Sequence, residues 1–145
     1  MQITPYEPVD AAELVRMWHA SFEHGMGTVD PPPTLESRLE YFLREVVPGH
    51  TLHVARRDDA IVGFMASTPE AVAHLFVKVE CIGQGIGARL LDLAKSESHG
   101  SLWLYAFVRN TNACRFYERH GFREVERESQ NMYKLEAIRY VWRRG

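Results

Sequence analysis

Residues 71–94, AVAHLFVKVECIGQGIGARLLDLA, have the pattern of a strand, a glycine-rich turn and a helix. Apolar and polar side chains alternate in the first half, which is the period of an extended chain. Three glycines then stand at every second position: Gly83, Gly85 and Gly87. Apolar residues after them recur at helical spacing. Because the first amides of a helix lack internal partners and glycine lets an anion approach the backbone, this stretch predicts a phosphate-binding loop.

Three kinds of phosphate-binding loop compete for this stretch. A Walker loop requires Gly-Lys-Ser/Thr, and the chain has Gly-Ala-Arg at residues 87–89, which excludes it. A dinucleotide-binding loop matches residues 83–88 as G-x-G-x-x-A, but it also requires an acidic residue about 20 positions later. The next predicted strand ends at Arg109 without a carboxylate. Since an arginine there can hold the 2′-phosphate of NADP, this alternative stays open beside an acyl-CoA loop.

A second motif decides in favour of the acyl-CoA loop. Residues 110–122 read NTNACRFYERHGF, which contains N-x-x-A-x-x-F-Y-E-x-x-G-F. Together with Gln-Gly-Ile-Gly at residues 84–87, directly after a strand, this motif resembles the GNAT superfamily of acyl-CoA-dependent N-acetyltransferases. The resemblance runs from about residue 52 to the C-terminus. It implies an α/β fold with a central mixed sheet of six to seven strands and helices on both faces.

The resemblance also implies how acetyl-CoA, the co-substrate, is held. Backbone groups of Leu75, Phe76 and Val77 are expected to bind the pantetheine arm like an added strand, with one N–H polarising the acetyl carbonyl. The pyrophosphate is expected on the amides of Gly83, Gln84, Gly85, Ile86, Gly87 and Ala88. Asn110, at the motif's Asn, is expected to bond the pantetheine or a water beside it. Ile82 stands where the family usually has Arg or Gln, which should weaken the phosphate contact without abolishing it.

Tyr117, at the motif's Tyr, is the predicted general acid. A phenol with a pKa of about 10 stays protonated at neutral pH and can donate to the departing sulfur. The competing interpretation is a core aromatic on a helical stripe, or a tyrosine that only positions the thiol. The general base stays open, because Tyr105 occupies the position where some relatives have Glu. The alternatives are a chain of waters or one of four side chains: Glu23, His24, His74 and Glu80.

Composition limits the class of protein. A chain of 145 residues with 46% hydrophobic and 25% charged residues is typical of one soluble globular domain, predicted over residues 1–145. The net charge of −2 does not suit a nucleic-acid partner, and the longest apolar run, residues 102–108, is too short for a bilayer. Cys81 and Cys114 lack metal-ligand spacing, so no metal is expected. Without a visible signal peptide we expect a cytoplasmic protein, and a homodimer stays open.

The rest of the chain has clear strand and helix patterns. Strands are predicted at residues 3–6, 51–57, 60–67, 102–109, 122–127 and 138–142, in addition to the strand that begins at residue 71. Helices are predicted from an Asp10–Glu13 capping box, from Thr34, over residues 86–96, and over residues 110–120 with Gly121 as the C-terminal cap. The crossover through the third helix makes the strands on either side of it parallel.

These patterns predict an N-acetyltransferase. The resemblance implies that it moves the acetyl group from acetyl-CoA to a primary amine of a small molecule or peptide, by direct attack in a ternary complex. The sequence does not identify the acceptor amine. The alternative on the same fold is a non-catalytic CoA-binding regulatory module, and a third hypothesis is an NADP-binding domain.

Overall fold

The computed structural model describes residues 1–145 and contains seven strands in two antiparallel sheets. The first sheet has the order β1-β2-β3-β4, with β1 (Gln2–Pro5), β2 (Thr51–Arg57), β3 (Ala60–Ser67) and β4 (Val72–Val77). The second has the order β5-β7-β6, with β5 (Ser101–Phe107), β6 (Arg123–Glu128) and β7 (Ala137–Arg143). Every predicted strand is present, with ends within about two residues of the expected ones. The predicted α/β class is confirmed.

The two sheets join at a single point, where β4 and β5 begin. Ala71 and Trp103 form an isolated parallel bridge. The Trp103 N–H donates to the Glu70 carbonyl at 3.1 Å, and the His99 N–H donates to the Pro69 carbonyl at 3.2 Å. Beyond these bonds β4 and β5 share no ladder. The predicted parallel pairing is therefore confined to one bridge, and the rest of the gap between the two strands is open.

Helices cover both faces of the sheets and give each face its own core. On one face lie α1 (Ala11–Met26) and α2 (Leu35–Tyr41), which continues through a π-helical turn (Phe42–Val46) into the short α3 (Val47–Gly49). On the other face lie α4 (Ile86–Glu97) and α5 (Thr111–Arg119). The first core contains Leu14, Trp18, Phe42 and Phe64, and the second contains Leu90, Leu91, Leu102 and Tyr140. None of the helices has both the length and the apolar character needed to cross a bilayer.

The predicted Asp10–Glu13 capping box is wrong. The Asp10 carboxylate accepts from the Glu7 N–H at 2.9 Å and from both terminal nitrogens of Arg56 at 2.9 and 2.6 Å. Glu13 accepts from the Ile61 N–H at 2.8 Å. The sequence pattern misleads because both carboxylates find partners outside the helix, on β2 and β3. They tie α1 to the first sheet instead of capping it.

Two other predicted helix ends are confirmed. The Thr34 side chain accepts from the Ser37 N–H at 3.0 Å and caps α2. After α5 the chain turns through Gly121, whose φ of +89° lies in the left-handed region that glycine tolerates best. This second end fixes the direction in which β6 leaves α5 and returns toward β7.

Candidate active site

The start of α4 carries a run of backbone amides without acceptors in the chain. The first helical bond runs from the Arg89 N–H to the Gly85 carbonyl at 3.1 Å. The amides of residues 83–85 donate to no other group, and those of residues 86–88 form the first turn, which has no preceding turn to accept them. Gly83 and Gly85 have φ of +88° and +83°, where other residues are strained. Six backbone donors without acceptors and the positive end of the helix dipole lie in this loop, which is the arrangement that suits an anion.

Gly87 contributes to the loop in a different way, through close packing. A Cβ placed on Gly87 would lie 3.2 Å from Cζ of Phe116 and 3.6 Å from Cγ2 of Val77. The missing side chain therefore lets α4 approach both α5 and β4. This contact holds the loop against the strand that precedes it.

Arg57 brings a cation to the loop from the end of β2. Its Nη1 donates to the side-chain oxygen of Gln84 at 2.5 Å. Ile82 is 52% exposed, and its side chain offers no donor at the position where the family usually has Arg or Gln. No sequence pattern indicates Arg57, because it lies 27 residues before Gln84 and belongs to no motif with it.

A cleft of about 1180 Å³ lies in the gap between β4 and β5 and reaches α1, α2 and the loop. Nine of the predicted site residues line it: Leu75, Phe76, Val77, Gly83, Gly85, Ile86, Gly87, Asn110 and Tyr117. Gln84 and Ala88 are not part of its lining. The charged residues of the lining are one carboxylate, Glu40, and four arginines: Arg38, Arg44, Arg115 and Arg119. The cleft therefore suits an anionic ligand.

The register between β3 and β4 decides which backbone groups of β4 are free. The Lys78 N–H donates to the Val62 carbonyl at 2.9 Å, and alternate residues of β4, including Phe76, bond β3 in the same way. The N–H and C=O groups of Leu75 and Val77 therefore point away from β3, into the gap facing β5. Phe76 contributes its ring to the cleft, while its backbone groups are used by the sheet.

Tyr117 belongs to the core and to the wall of the cleft at the same time. It is 8% exposed, and its ring packs 5.2 Å from that of Phe116 and 5.7 Å from that of Phe122, centroid to centroid. Its hydroxyl forms no hydrogen bond with another group of the chain. Burial raises the pKa of Tyr117 above that of an ordinary phenol, with a smaller contribution from Cys114. The hydroxyl is thus a protonated donor at physiological pH, without a partner in the protein.

Asn110 begins α5 and also lines the cleft. Its Oδ1 accepts from the Ala113 N–H at 3.2 Å, which caps the helix. A Cβ placed on Gly25 of α1 would come within 2.5 Å of Nδ2 of Asn110, so the amide side chain packs directly against α1. Since the cap occupies the oxygen, the Nδ2 group is the part of Asn110 that remains for a ligand.

Comparison with known proteins identifies the family. Residues 48–124 match the acetyltransferase (GNAT) domain. The chain is 36% identical over 119 residues to the peptidyl-lysine N-acetyltransferase YjaB of Salmonella typhimurium strain LT2, covering 81% of this chain and 80% of that protein. The chain belongs to the GNAT acetyltransferase family. This confirms the family and the acetyltransferase activity that the two motifs predicted.

Two solved structures share the GNAT fold of this chain. Apo YjaB from Escherichia coli superposes with a TM-score of 0.79 at 24% identity, covering 99% of this chain and 98% of that one. The PaiA N-acetyltransferase from Thermoplasma acidophilum, solved in complex with coenzyme A, superposes with a TM-score of 0.71 at 16% identity, covering 98% of both chains. A GNAT fold with a coenzyme A complex among its neighbours agrees with acetyl-CoA as the co-substrate.

Membership of the GNAT family excludes the hypothesis of an NADP-binding domain. Arg109, the residue that it required for a 2′-phosphate, donates through Nη1 to the Thr28 carbonyl at 2.9 Å. This bond ties the end of β5 to the segment that follows α1. Arg109 therefore has a structural partner, and it is absent from the lining of the cleft.

His74 faces the cleft of this GNAT protein from β4, in an aromatic environment. Its ring lies 4.9 Å from that of Trp18 and stacks on Phe76 at 6.1 Å, centroid to centroid. Burial, together with the positive charges of His50 and Arg38, lowers the pKa of His74 to about 4. The imidazole is therefore neutral at physiological pH and a weak base.

The other candidates for the base lie in different surroundings. Glu80 is exposed, lies 3.8 Å from Nζ of Lys78 and does not line the cleft. Glu23 lies 3.4 Å from Nε2 of His19 and is likewise outside the lining. His24 and Tyr105 do line the cleft, with Tyr105 47% exposed. Neither Glu23 nor Glu80, the two carboxylates that the sequence offered as general base, lines the cleft beside Tyr117.

Proposed function

We propose that this GNAT protein transfers the acetyl group of acetyl-CoA to a primary amine of a small molecule or peptide, by direct attack in a ternary complex. One observation carries the proposal. A single cleft is bordered by the free amides of the glycine loop, by the free edge of β4 and by the unpartnered hydroxyl of Tyr117. These are the groups needed to hold a pyrophosphate, to pair with an amide-containing arm and to protonate a leaving thiolate.

The residues that would hold the co-substrate follow from their free groups. The amides of residues 83–88 would bind the pyrophosphate, with Arg57 as a nearby cation. The backbone N–H and C=O groups of Leu75 and Val77 would pair with the pantetheine amides as one more strand. The Nδ2 group of Asn110 would donate to the same arm from the opposite wall.

The chemistry proposed for the chain is one displacement with a balanced proton transfer. Bound acetyl-CoA supplies a thioester carbonyl, at which the amine nitrogen forms a C–N bond while the C–S bond breaks. An N–H group of Leu75 or Val77 polarises the carbonyl oxygen. Tyr117 gives its proton to the departing sulfur and regains one from solvent. The proton of the amine leaves to water, because His74, with a pKa of about 4, is too weak a base to hold it.

Thiol release is the direct test of the proposed reaction. Acetyl-CoA should raise the melting temperature, since a ligand at a hundred times its Kd stabilises the folded chain by about 2.7 kcal/mol. Free thiol should then appear only when a suitable amine is added, in a panel of amino acids, polyamines, aminoglycosides, peptide N-termini and lysine peptides. Stabilisation without thiol release across the whole panel would contradict the proposal and favour a non-catalytic CoA-binding regulatory module.

Gly85→Val should remove the response to CoA while the fold survives. A β-branched residue at a φ of +83° costs about 1–2 kcal/mol, so the melting temperature without ligand should fall by a few degrees. Nothing lies within 4 Å of a Cβ placed on Gly85, so the fold has room for the new side chain, while the strained φ should displace the amides proposed to bind the phosphate. Thermal denaturation with and without CoA measures both effects.

Gly49→Val is the matched control for this loop variant. Gly49 has no atom within 4 Å of a Cβ placed on it, its φ is not positive, and it does not line the cleft. This variant should keep the full shift in melting temperature with CoA. A Gly85→Val protein that is stabilised by CoA as strongly as the wild type would refute the proposed phosphate site.

A further inference from the structure

Arg38 of α2 is a buried cation with an unused donor. The residue is 5% exposed, and its Nε donates to Nδ1 of His19 at 3.3 Å. Its Nη2 is buried and has no hydrogen-bond partner. The guanidinium carbon lies 4.9 Å from the ring centroid of Trp18 and 4.5 Å from that of Phe22. A buried polar group without a partner is unfavourable unless a ligand completes it.

The neighbours of Arg38 orient the guanidinium without neutralising it. Because Nδ1 of His19 accepts from Arg38, the hydrogen of the neutral imidazole is on Nε2, which lies 3.4 Å from the Glu23 carboxylate. Arg38 itself forms no salt bridge. Burial lowers the pKa of Arg38, and this effect is partly offset by Tyr133, through its charge and a side-chain hydrogen bond to the guanidinium, and by the charge of Glu23. An arginine stays protonated in this situation, so one positive charge remains uncompensated.

The uncompensated charge lies in the wall of the cleft proposed for the reaction. Arg38, Trp18 and Tyr133 line this cleft together with Phe76, whose ring is 5.2 Å from that of Trp18. Phe76 lies between the two residues of β4 proposed to hold the pantetheine arm. A small molecule in the cleft therefore has the guanidinium at one end and the site of acetyl transfer on the adjoining strand.

We propose that Arg38 binds a carboxylate of the acceptor, so that the acceptor is a small amine that also carries a carboxylate. The inference rests on the proposed acetyl transfer and specifies its substrate class. A carboxylate is the anion that a guanidinium binds well, because charge-assisted hydrogen bonds between the two are shorter and stronger than those between neutral groups.

The charge in this part of the cleft favours a monoanion. Arg44 also lines the cleft, but it is paired with Glu40 at 2.9 Å and with Glu45 at 3.2 Å. Of these two arginines, Arg38 on α2 is the one without a carboxylate partner, and its surroundings are aromatic. A single planar carboxylate balances that charge, whereas a dianionic group would bring a second negative charge into an apolar wall.

The test compares acceptors that differ only in the carboxylate. Nα-acetyl-lysine and its carboxamide present the same ε-amine, as do 6-aminohexanoate and 6-aminohexanamide. Of the two carboxylate-bearing amines, the one that wild-type protein uses better should be acetylated with a kcat/KM about 10- to 100-fold higher than that of its matching amide. In Arg38→Met this preference should fall toward one, and Arg38→Lys should retain only part of it. Arg16→Met, which replaces an exposed arginine of α1 outside the cleft, is the control and should keep the wild-type preference.

The outcomes separate this inference from the proposed function. Equal use of acids and amides by wild-type protein, or an Arg38→Met protein with the full preference, overturns the role of Arg38 while thiol release still supports acetyl transfer. If Arg38 were only structural, Arg38→Met would lower kcat/KM for the acid and for the amide by the same factor. The unchanged ratio would also overturn the proposed role of Arg38.

A binding measurement covers the case without turnover. With CoA present, the N-acetylated acid should raise the melting temperature of wild-type and Arg16→Met protein but not of Arg38→Met, and the N-acetylated amide should raise none of them. This result without thiol release would support the carboxylate site and contradict the acetyl transfer. The absence of an acid-specific shift in wild-type protein counts against the site. If Arg38→Met does not fold, the wild-type and Arg38→Lys comparisons decide.

Discussion

Tyr117→Phe should lower kcat by about 100- to 10,000-fold, which is the usual contribution of a positioned general acid. CoA binding should change little, because the variant loses one oxygen and keeps the ring that packs against Phe116 and Phe122. The hydroxyl has no partner in the chain, so its removal leaves no buried group unsatisfied. Thiol release at saturating acetyl-CoA and amine measures kcat, and the shift in melting temperature with CoA measures binding.

Tyr140→Phe is the matched control for the loss of a buried phenol. Its ring lies 6.3 Å from that of Tyr117, but its hydroxyl donates to Glu118 at 2.7 Å and the residue does not line the cleft. The Tyr140→Phe variant should lose about 1–2 kcal/mol of stability and retain turnover.

The pH dependence of the wild-type rate gives a second test of Tyr117. Because the pKa of Tyr117 is raised, deprotonation of its hydroxyl should cause no loss of wild-type activity up to about pH 10. Unchanged turnover of Tyr117→Phe at every pH would exclude Tyr117 as the acid.

The parts of the site that the sequence predicted are contiguous in the chain. The free amides of residues 83–88 depend on glycine geometry and on the start of one helix, and both are local. Asn110 and Tyr117 fall on one helix, where spacing decides which side chains share a face. The family motif then linked these two segments, which periodicity alone does not do.

The parts that the sequence did not predict depend on contacts between distant segments. Alternation identified β4 and β5 as strands, but it carries no information on how far apart they run after their single bridge at Ala71 and Trp103. Arg57 reaches the loop from 27 residues away. In the sequence, Arg38 has the spacing of an exposed polar residue of α2. It is buried because α2 packs against Trp18 and Phe22. No local spacing signals such a residue.

His74→Phe should make the free energy of unfolding less dependent on pH below about pH 6.5. The pKa of His74 is about 4 in the folded chain, because Trp18 and Phe76 enclose the ring and His50 and Arg38 add positive charge, whereas an unfolded histidine has a pKa of about 6.5. Above pH 6.5 the imidazole is neutral in both states and has no effect. Between pH 6.5 and 4 only the unfolded chain takes up the proton, so the free energy of unfolding falls, by about 3 kcal/mol in total.

Urea denaturation at pH 7, 5.5 and 4.5 measures this difference. Wild-type protein should lose stability faster than His74→Phe as the pH falls, while groups that titrate alike in both proteins cancel in the comparison. His99→Gln, which replaces an exposed histidine, should follow the wild type. Parallel curves for wild type and His74→Phe would mean that the folded chain protonates His74 as readily as the unfolded one. The imidazole would then be basic enough to accept the proton of the attacking amine, and the assignment of that step to water would have to be withdrawn.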